Sequence, residues 1–162
     1  DSGPVLIRKE FELNKNETYG EIEKKLSLEG ANLLIQSLES IENRNSKFID
    51  QDHSQATYAK KIDKNETKIN WNADANKVLA HIHGLSPNPG AWFEFKGKRI
   101  KILEASLTSQ SGKSGTIISD DLIIGCGEQS IQPQILKKEG KEEINLNDFL
   151  RGNKIEKGHV IQ

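Results

Sequence analysis

Residues 91–107 read AWFEFKGKRIKILEASL. The stretch is read as two short strands, Ala91–Phe95 and Arg99–Leu107, parted by a Lys96-Gly97-Lys98 turn. Three more short strands are read downstream at Thr116–Ser119, Leu122–Cys126 and Ile131–Lys137. Turns at Gln110-Ser111-Gly112, Asp120-Asp121 and Gly127-Glu128 separate them. Five short strands with a helix beside them predict a small OB-like β-barrel, with a Greek-key sandwich as the alternative.

The helix lies just upstream, over residues 72–83. Ala75, Val78, Leu79 and Ile82 form its apolar stripe, with Asn72 as its cap and Gly84 as its stop. Pro87-Asn88-Pro89-Gly90 then makes a stiff turn into the first strand. Residues 72–162 are therefore expected to form one domain. Residues 43–71 are polar at first and lack a sustained period, which reads as a linker. Residues 1–42 hold a strand, Val5–Leu13, and then a helix from Thr18 to about Ile41. Thr18 and Glu21 match a capping box, and Ile22, Leu26, Leu33, Leu34, Leu38 and Ile41 form the apolar face. One strand and one helix cannot enclose a core. They are read as an α/β remnant, the last strand and helix of a larger domain.

Composition narrows the function classes. The chain has 162 residues and a net charge of −1, which excludes a histone-like polycation. Mean hydropathy is −0.66, but apolar residues run throughout, so a soluble globular protein is expected rather than disorder. No apolar run is long enough for a membrane span. No basic-then-apolar leader is visible, and the single Cys126 cannot pair internally, so a reducing cytoplasm is the default. There is no methionine, and the first residue is Asp1, which predicts a start inside a longer product.

Charge is unevenly spread. Residues 1–55 carry a net −4 and residues 56–162 a net +3. Lys60, Lys61, Lys64 and Lys68 cluster at the entry to the second domain, and Lys96, Lys98, Arg99 and Lys101 on one hairpin. Such cations suit a phosphate backbone, because each contact releases condensed counterions; a solvated charged surface is the competing reading. Trp71, Trp92 and Phe93, beside aliphatic neighbours, are expected in the core rather than stacked on bases. His81 and His83 are two apart, so on a helix they point to different faces and no shared metal is expected. Cys126 reads as a small buried hydrophobe. No phosphate-binding glycine loop or nucleophile triad is present.

Taken in order, these segments resemble a known family. Asp1-Ser2-Gly3-Pro4 is similar to the D-x-G-P/D segment of folate-dependent formyltransferases. Residues Ala56–Ile62, Ile69-Asn70-Trp71 and Ile82–Trp92 resemble linker and turn signatures of the methionyl-tRNA formyltransferases. Leu136–Lys141 and Asp148-Phe149-Leu150-Arg151-Gly152 resemble that family's closing elements. Two positions depart from the pattern: Asn70 stands where Asp is usual, and His83 where Arg is usual.

The resemblance implies a Rossmann-like formyltransferase domain ending near residue 42, then an OB-like tRNA-binding domain. It implies formyl transfer from 10-formyltetrahydrofolate to the amino group of methionyl initiator tRNA, by a cytoplasmic monomer. Asp1 is assigned to catalysis and to the folate site. There it would hold a protonated His, order a water and relay protons, while an upstream Asn and that His stabilise the oxyanion. Lys60, Lys61, Lys64, Lys68, Lys98, Arg99 and Lys101 are assigned to tRNA. With the family's Asn and His placed upstream of Asp1, this chain is expected to grip RNA without catalysing alone. Two other functions remain open: a stand-alone RNA-binding OB-type module, and a folate-dependent formyltransferase acting on a sugar nucleotide.

Overall fold

The structure, a computed structural model, describes residues 2–161. The chain divides into two compact units. One comprises the residues up to Glu17 together with Glu21–Lys61; the other comprises Thr18–Gly20 and the chain from Ile62 onward.

The first unit is dominated by helix α1, Tyr19–Glu42, of which it holds the part from Glu21 onward, where the leucine periodicity places the helix. No residue of α1 is buried, and Leu26, Leu34, Leu38 and Ile41 stand exposed on its apolar face. The expected strand Val5–Leu13 does not form. Only Val5 pairs, in an isolated antiparallel bridge to Ile49 with N–O distances of 2.8 and 2.9 Å. Alternation alone does not make a strand: a ladder needs a neighbour, and a lone pair of strands is marginal in water.

The second unit holds a five-stranded sheet and two helices. Helix α2 runs Ala75–Leu85, strands β1 to β5 are Ala91–Phe95, Lys98–Thr108, Ile124–Gly125, Ser130–Lys138 and Glu143–Asn145, and helix α3 is Leu146–Arg151. The spatial order is β1-β2-β4-β3, with β5 also on β4, and all the pairs are antiparallel. No ladder joins β1 to β3 or β5 among the described residues, so the sheet is open where a closed barrel was expected. Thr116 and Ile117 make only isolated bridges, so the third expected strand is absent as a strand, and the fourth shrinks to β3.

The β1–β2 hairpin is one residue tighter than the expected Lys96-Gly97-Lys98 turn, with β2 starting at Lys98. Phe95 pairs with Lys98, leaving Lys96 and Gly97 as a two-residue loop at φ 51° and 71°. Positive φ at both positions is the mirror-image turn whose twist matches that of the strands. Ala91, Phe93 and Phe95 face inward, opposite Ile102, Ile100 and Lys98. Phe93 is fully buried, with Trp71 edge-on at 5.9 Å between ring centroids. Val78, Leu79 and Ile82 of α2 and Phe149 of α3 belong to the same core. Each such side chain contributes about 1.5–3 kcal/mol by leaving water.

Two irregularities shape the sheet. The β2–β4 register shifts between Ile102 and Glu104, and again before Ala105. Ile102 and Leu103 are consequently both buried although they are adjacent. Beside this bulge the Ala105 amide donates to Nε2 of the buried His83 at 3.4 Å. Helix α2 also starts later than expected. Asp74, not Asn72, is its cap, accepting from the Asn76 amide at 2.8 Å. Asn72 is used in an earlier turn, donating its amide to Asn70 Oδ1 at 3.1 Å. Gly84 does not stop α2, because the helix gains its C-cap at Ser86, just before Pro87.

Candidate nucleic-acid interface

A cavity of about 800 Å³ opens in the second unit around Trp92. Lys64 and Lys68 reach it from the segment before Ile69, Arg99 and Lys101 from β2, and Lys137 and Lys138 from the end of β4. Pro89, Gly90, Glu139 and Gly140 complete much of its rim. Six cations thus face one carboxylate, Glu139. None of the six forms an ion pair with a carboxylate among the described residues.

Local structure sets each cation. Residues Lys64–Thr67 form a short 3₁₀ turn closed by a capping box, with Asp63 accepting from Asn65 N at 2.8 Å and Glu66 from Asp63 N at 3.1 Å. The turn is tied to β1, where the Ile69 amide donates to the Trp92 carbonyl at 2.9 Å and Trp92 Nε1 donates to Thr67 Oγ1 at 3.0 Å. Lys101 lies beside Gly90, where a Cβ would come within 2.8 Å of its Cδ. Gly90 also sits at φ 82°, a region that costs a side chain about 1–2 kcal/mol. Lys138 is half-buried and anchored, its Nζ donating to Asn153 Oδ1 at 2.9 Å and lying 5.4 Å from the Phe149 ring centroid.

The sheet register adds an electrostatic conflict. Trp92 pairs with Lys101, Lys101 with Lys137, and Lys137 with Glu143. Two lysines directly opposite each other destabilise a ladder. A cation pair held in the middle of a sheet, without a carboxylate bridging it, is suited to an anion arriving from solution. The pocket offers charge and hydrogen-bond donors, which can bind and orient an anion.

Sequence expectation and structure coincide in part. Lys64, Lys68, Arg99 and Lys101 are brought together; Lys98 is exposed on β2 outside the lining. Lys60 and Lys61 belong to the first unit. Asp1 lies outside the described residues. Lys137 and Lys138 were missed as binding residues, since only the β2–β4 register puts Lys137 against Lys101. Trp71 and Phe93 are core as expected, but Trp92 is only partly buried and lines the pocket. Arg99 Cζ lies 4.4 Å, and Lys68 Nζ 5.6 Å, from its ring centroid.

His81 and His83 do diverge: His81 Nε2 bonds the Glu66 carbonyl at 2.7 Å while His83 is buried against β2. Among the described residues no group of three or more His, Cys, Asp or Glu is placed to hold a metal. No helix among them is long and apolar enough to cross a membrane. Cys126 is buried, and that burial, with a smaller push from the Asp74 charge, raises its thiol to about 11.

Comparison with known proteins gives the site a setting. The family model described as formyl transferase, C-terminal domain, matches residues 61–154, a span that contains every cation of the pocket. A methionyl-tRNA formyltransferase of Pelagibacter ubique is 40% identical over 162 residues, covering 99% of this chain and 52% of that protein. One from Rickettsia massiliae is 40% identical over 164 residues, covering 100% of this chain and 54% of that protein. The chain thus spans about half the length of these relatives. Among solved structures, HypX from Aquifex aeolicus in complex with tetrahydrofolic acid superposes with a TM-score of 0.72 at 18% identity, over 92% of this chain and 27% of that one. An N-formyltransferase from Helicobacter canadensis gives 0.63 at 18% identity, over 85% and 51%. On the extent of the family match, which takes in the sheet, α2, α3 and the basic pocket, the chain belongs to the formyl transferase family and carries its C-terminal domain.

Proposed function

We propose that this chain is the C-terminal part of an enzyme that moves a formyl group from 10-formyltetrahydrofolate to the amino group of methionyl initiator tRNA. The observation that carries the reading is the basic pocket, in which Lys101 opposes Lys137 with no carboxylate bridging them, in a chain 40% identical along its length to methionyl-tRNA formyltransferases. In the reaction the methionyl amine attacks the formyl carbon. The new C–N bond forms as the bond to the folate nitrogen breaks, tetrahydrofolate leaves with a proton, and the amine gives one up. Asp1 holds a neighbouring His in its charged form, touches the folate site and relays that proton. Residues 1–42 end the catalytic domain, and 43–71 link it to an OB-type module with an unclosed barrel at 72–162. Lys60, Lys61, Lys64, Lys68, Lys98, Arg99 and Lys101 meet tRNA phosphates, joined by Lys137. The enzyme acts as a cytoplasmic monomer.

The test is binding of initiator methionyl-tRNA to the full chain over a series of salt concentrations. Each phosphate neutralised adds about 0.9 to the log–log slope on duplex. Lys101→Ala with Lys137→Ala is expected to flatten the slope by about one to two units. An unchanged slope would remove the pocket from the RNA interface.

A further inference from the structure

A pocket that only gathers phosphates has no need of a tryptophan at its centre, yet Trp92 is tied in more ways than any other lining residue. Its Nε1 donates to Thr67 Oγ1 at 3.0 Å, and the Thr67 hydroxyl in turn donates to the Lys64 carbonyl at 2.7 Å. Its own carbonyl accepts from Ile69 at 2.9 Å. Its ring meets Arg99 from β2 and Lys68 from the chain after the 3₁₀ turn, at 4.4 and 5.6 Å. Those two cations come from segments far apart in sequence. Glu94 stands opposite Arg99 in the hairpin register, but neither Arg99 nor Lys68 forms an ion pair among the described residues, so the two cations repel, and both side chains have many rotamers. The electron-rich face of an indole attracts both, and attraction is strongest for tryptophan among the aromatic residues. A ring already engaged by two cations and keyed at its edge by Thr67 is poorly placed to serve as a platform for a base.

We infer that Trp92 is a positioning residue whose indole, keyed to Thr67, holds Arg99 and Lys68 together as a preformed cradle for phosphate oxygens, those of an RNA backbone rather than its bases. The inference rests on the RNA-binding reading above and adds to it a division of labour. The cations bind; the aromatic ring fixes where they are. Binding then draws less on side-chain entropy, because the rotamers are chosen before the anion arrives.

The full chain is titrated with a short RNA duplex of arbitrary sequence at several salt concentrations, alone and with tripolyphosphate as competitor. Trp92→Leu is expected to weaken binding about tenfold and to flatten the salt slope by about one to two units, as cradle contacts are lost. Trp92→Phe, which keeps an aromatic face, is expected to recover most of that loss. Arg99 is exposed, so Arg99→Ala leaves the core untouched, and in that background Trp92→Leu is expected to cost less than about threefold. Tripolyphosphate is expected to displace the duplex from the wild-type chain, a measurement that holds even where Trp92→Leu fails to fold. Equal losses for Phe and Leu, independent effects of Trp92 and Arg99, or no displacement by tripolyphosphate would overturn the inference. Tripolyphosphate bound with this Trp92 dependence, but no RNA bound, would sink the RNA reading and support the positioning role. Wild-type RNA affinity and slope in a folded Trp92→Leu would sink the positioning role and leave the RNA reading standing.

Discussion

Replacing Lys101 by glutamate is expected to make the free protein more stable while making it a worse RNA binder. Lys101 pairs with Lys137 on β4 and with Trp92 on β1, so no acid stands directly opposite it. A directly opposed ion pair contributes about 0.2–1 kcal/mol, and a like pair costs a similar amount. Reversing the sign of one member spans both, and the shorter glutamate gives up some of the aliphatic contact beside Gly90. The net gain is about 1 kcal/mol. For a unit of this size that raises Tm by roughly 3–6 °C. Thermal melts of Lys101→Glu and Lys101→Gln against wild type at low salt measure it, with the glutamine variant expected in between. At 1 M salt, where the screening length is about 3 Å, most of the gain should vanish. RNA titration of the same variant should show lost affinity and a salt slope lower by about one unit. A Lys101→Glu protein that is less stable at low salt, or whose gain persists at 1 M salt, would refute the claim that the opposed lysines burden the sheet.

Three further outcomes follow from the core and the helix cap. Phe93→Ala should cost about 3–5 kcal/mol by emptying the space between Trp71 and α2, read as a lower urea midpoint with an unchanged m-value. Cys126 should resist iodoacetamide at neutral pH and react only on unfolding; its native thiol, at about 11 against an ordinary 9.0, stays protonated where the unfolded one ionises, so stability should fall as pH rises between those values, and a Cys126→Ser protein that keeps the same alkaline loss would exclude this cause. Asp74→Ala should lower Tm at neutral pH; hydrogen bonds from Asn76 hold the native carboxyl below its ordinary 3.8, so the cap's contribution is present above that value and is lost as pH falls through the native one, narrowing the gap between variant and wild type in acid.

How much of the fold shows in the sequence follows from which signals are local. β1 was placed at its observed bounds because Gly97 and the prolines punctuate it on both sides, and α1 because its leucine spacing is long and regular. The strand at Val5–Leu13 has the right alternation but, beyond the bridge from Val5 to Ile49, no partner among the described residues, and pairing is not a local property. β5 and α3 were missed because Glu143-Ile144-Asn145 carries one apolar residue, too few for a period, and α3 is only six residues long. At the site, the charges on the 3₁₀ turn and β2 were legible as clusters. Lys137 was not, because its role depends on a register fixed across β2 and β4. Trp92 was misjudged for a related reason: adjacent Trp92 and Phe93 point to opposite faces, so only one of them can be core.

The bulge in β2 decides where the cationic surface ends. Before it, Arg99 and Lys101 take the outward positions; after it, Glu104 and Ser106 do, because the register shift changes which parity faces the core. Had alternation run on unbroken, the outward positions would have fallen to Leu103 and Ala105, leaving a greasy strip beyond the lysines. A one-residue deletion at this point would therefore do more than shorten a strand. Without Leu103 the step from Ile102 to Glu104 loses its extra residue while the compensating step on β4, from Ile135 to Pro133, stays, so the downstream half of β2 falls out of step with β4. Length changes in this strand should accordingly be far less tolerated than most substitutions on its exposed face, and a scan of single-residue deletions along β2 would find its steepest drop beside Leu103.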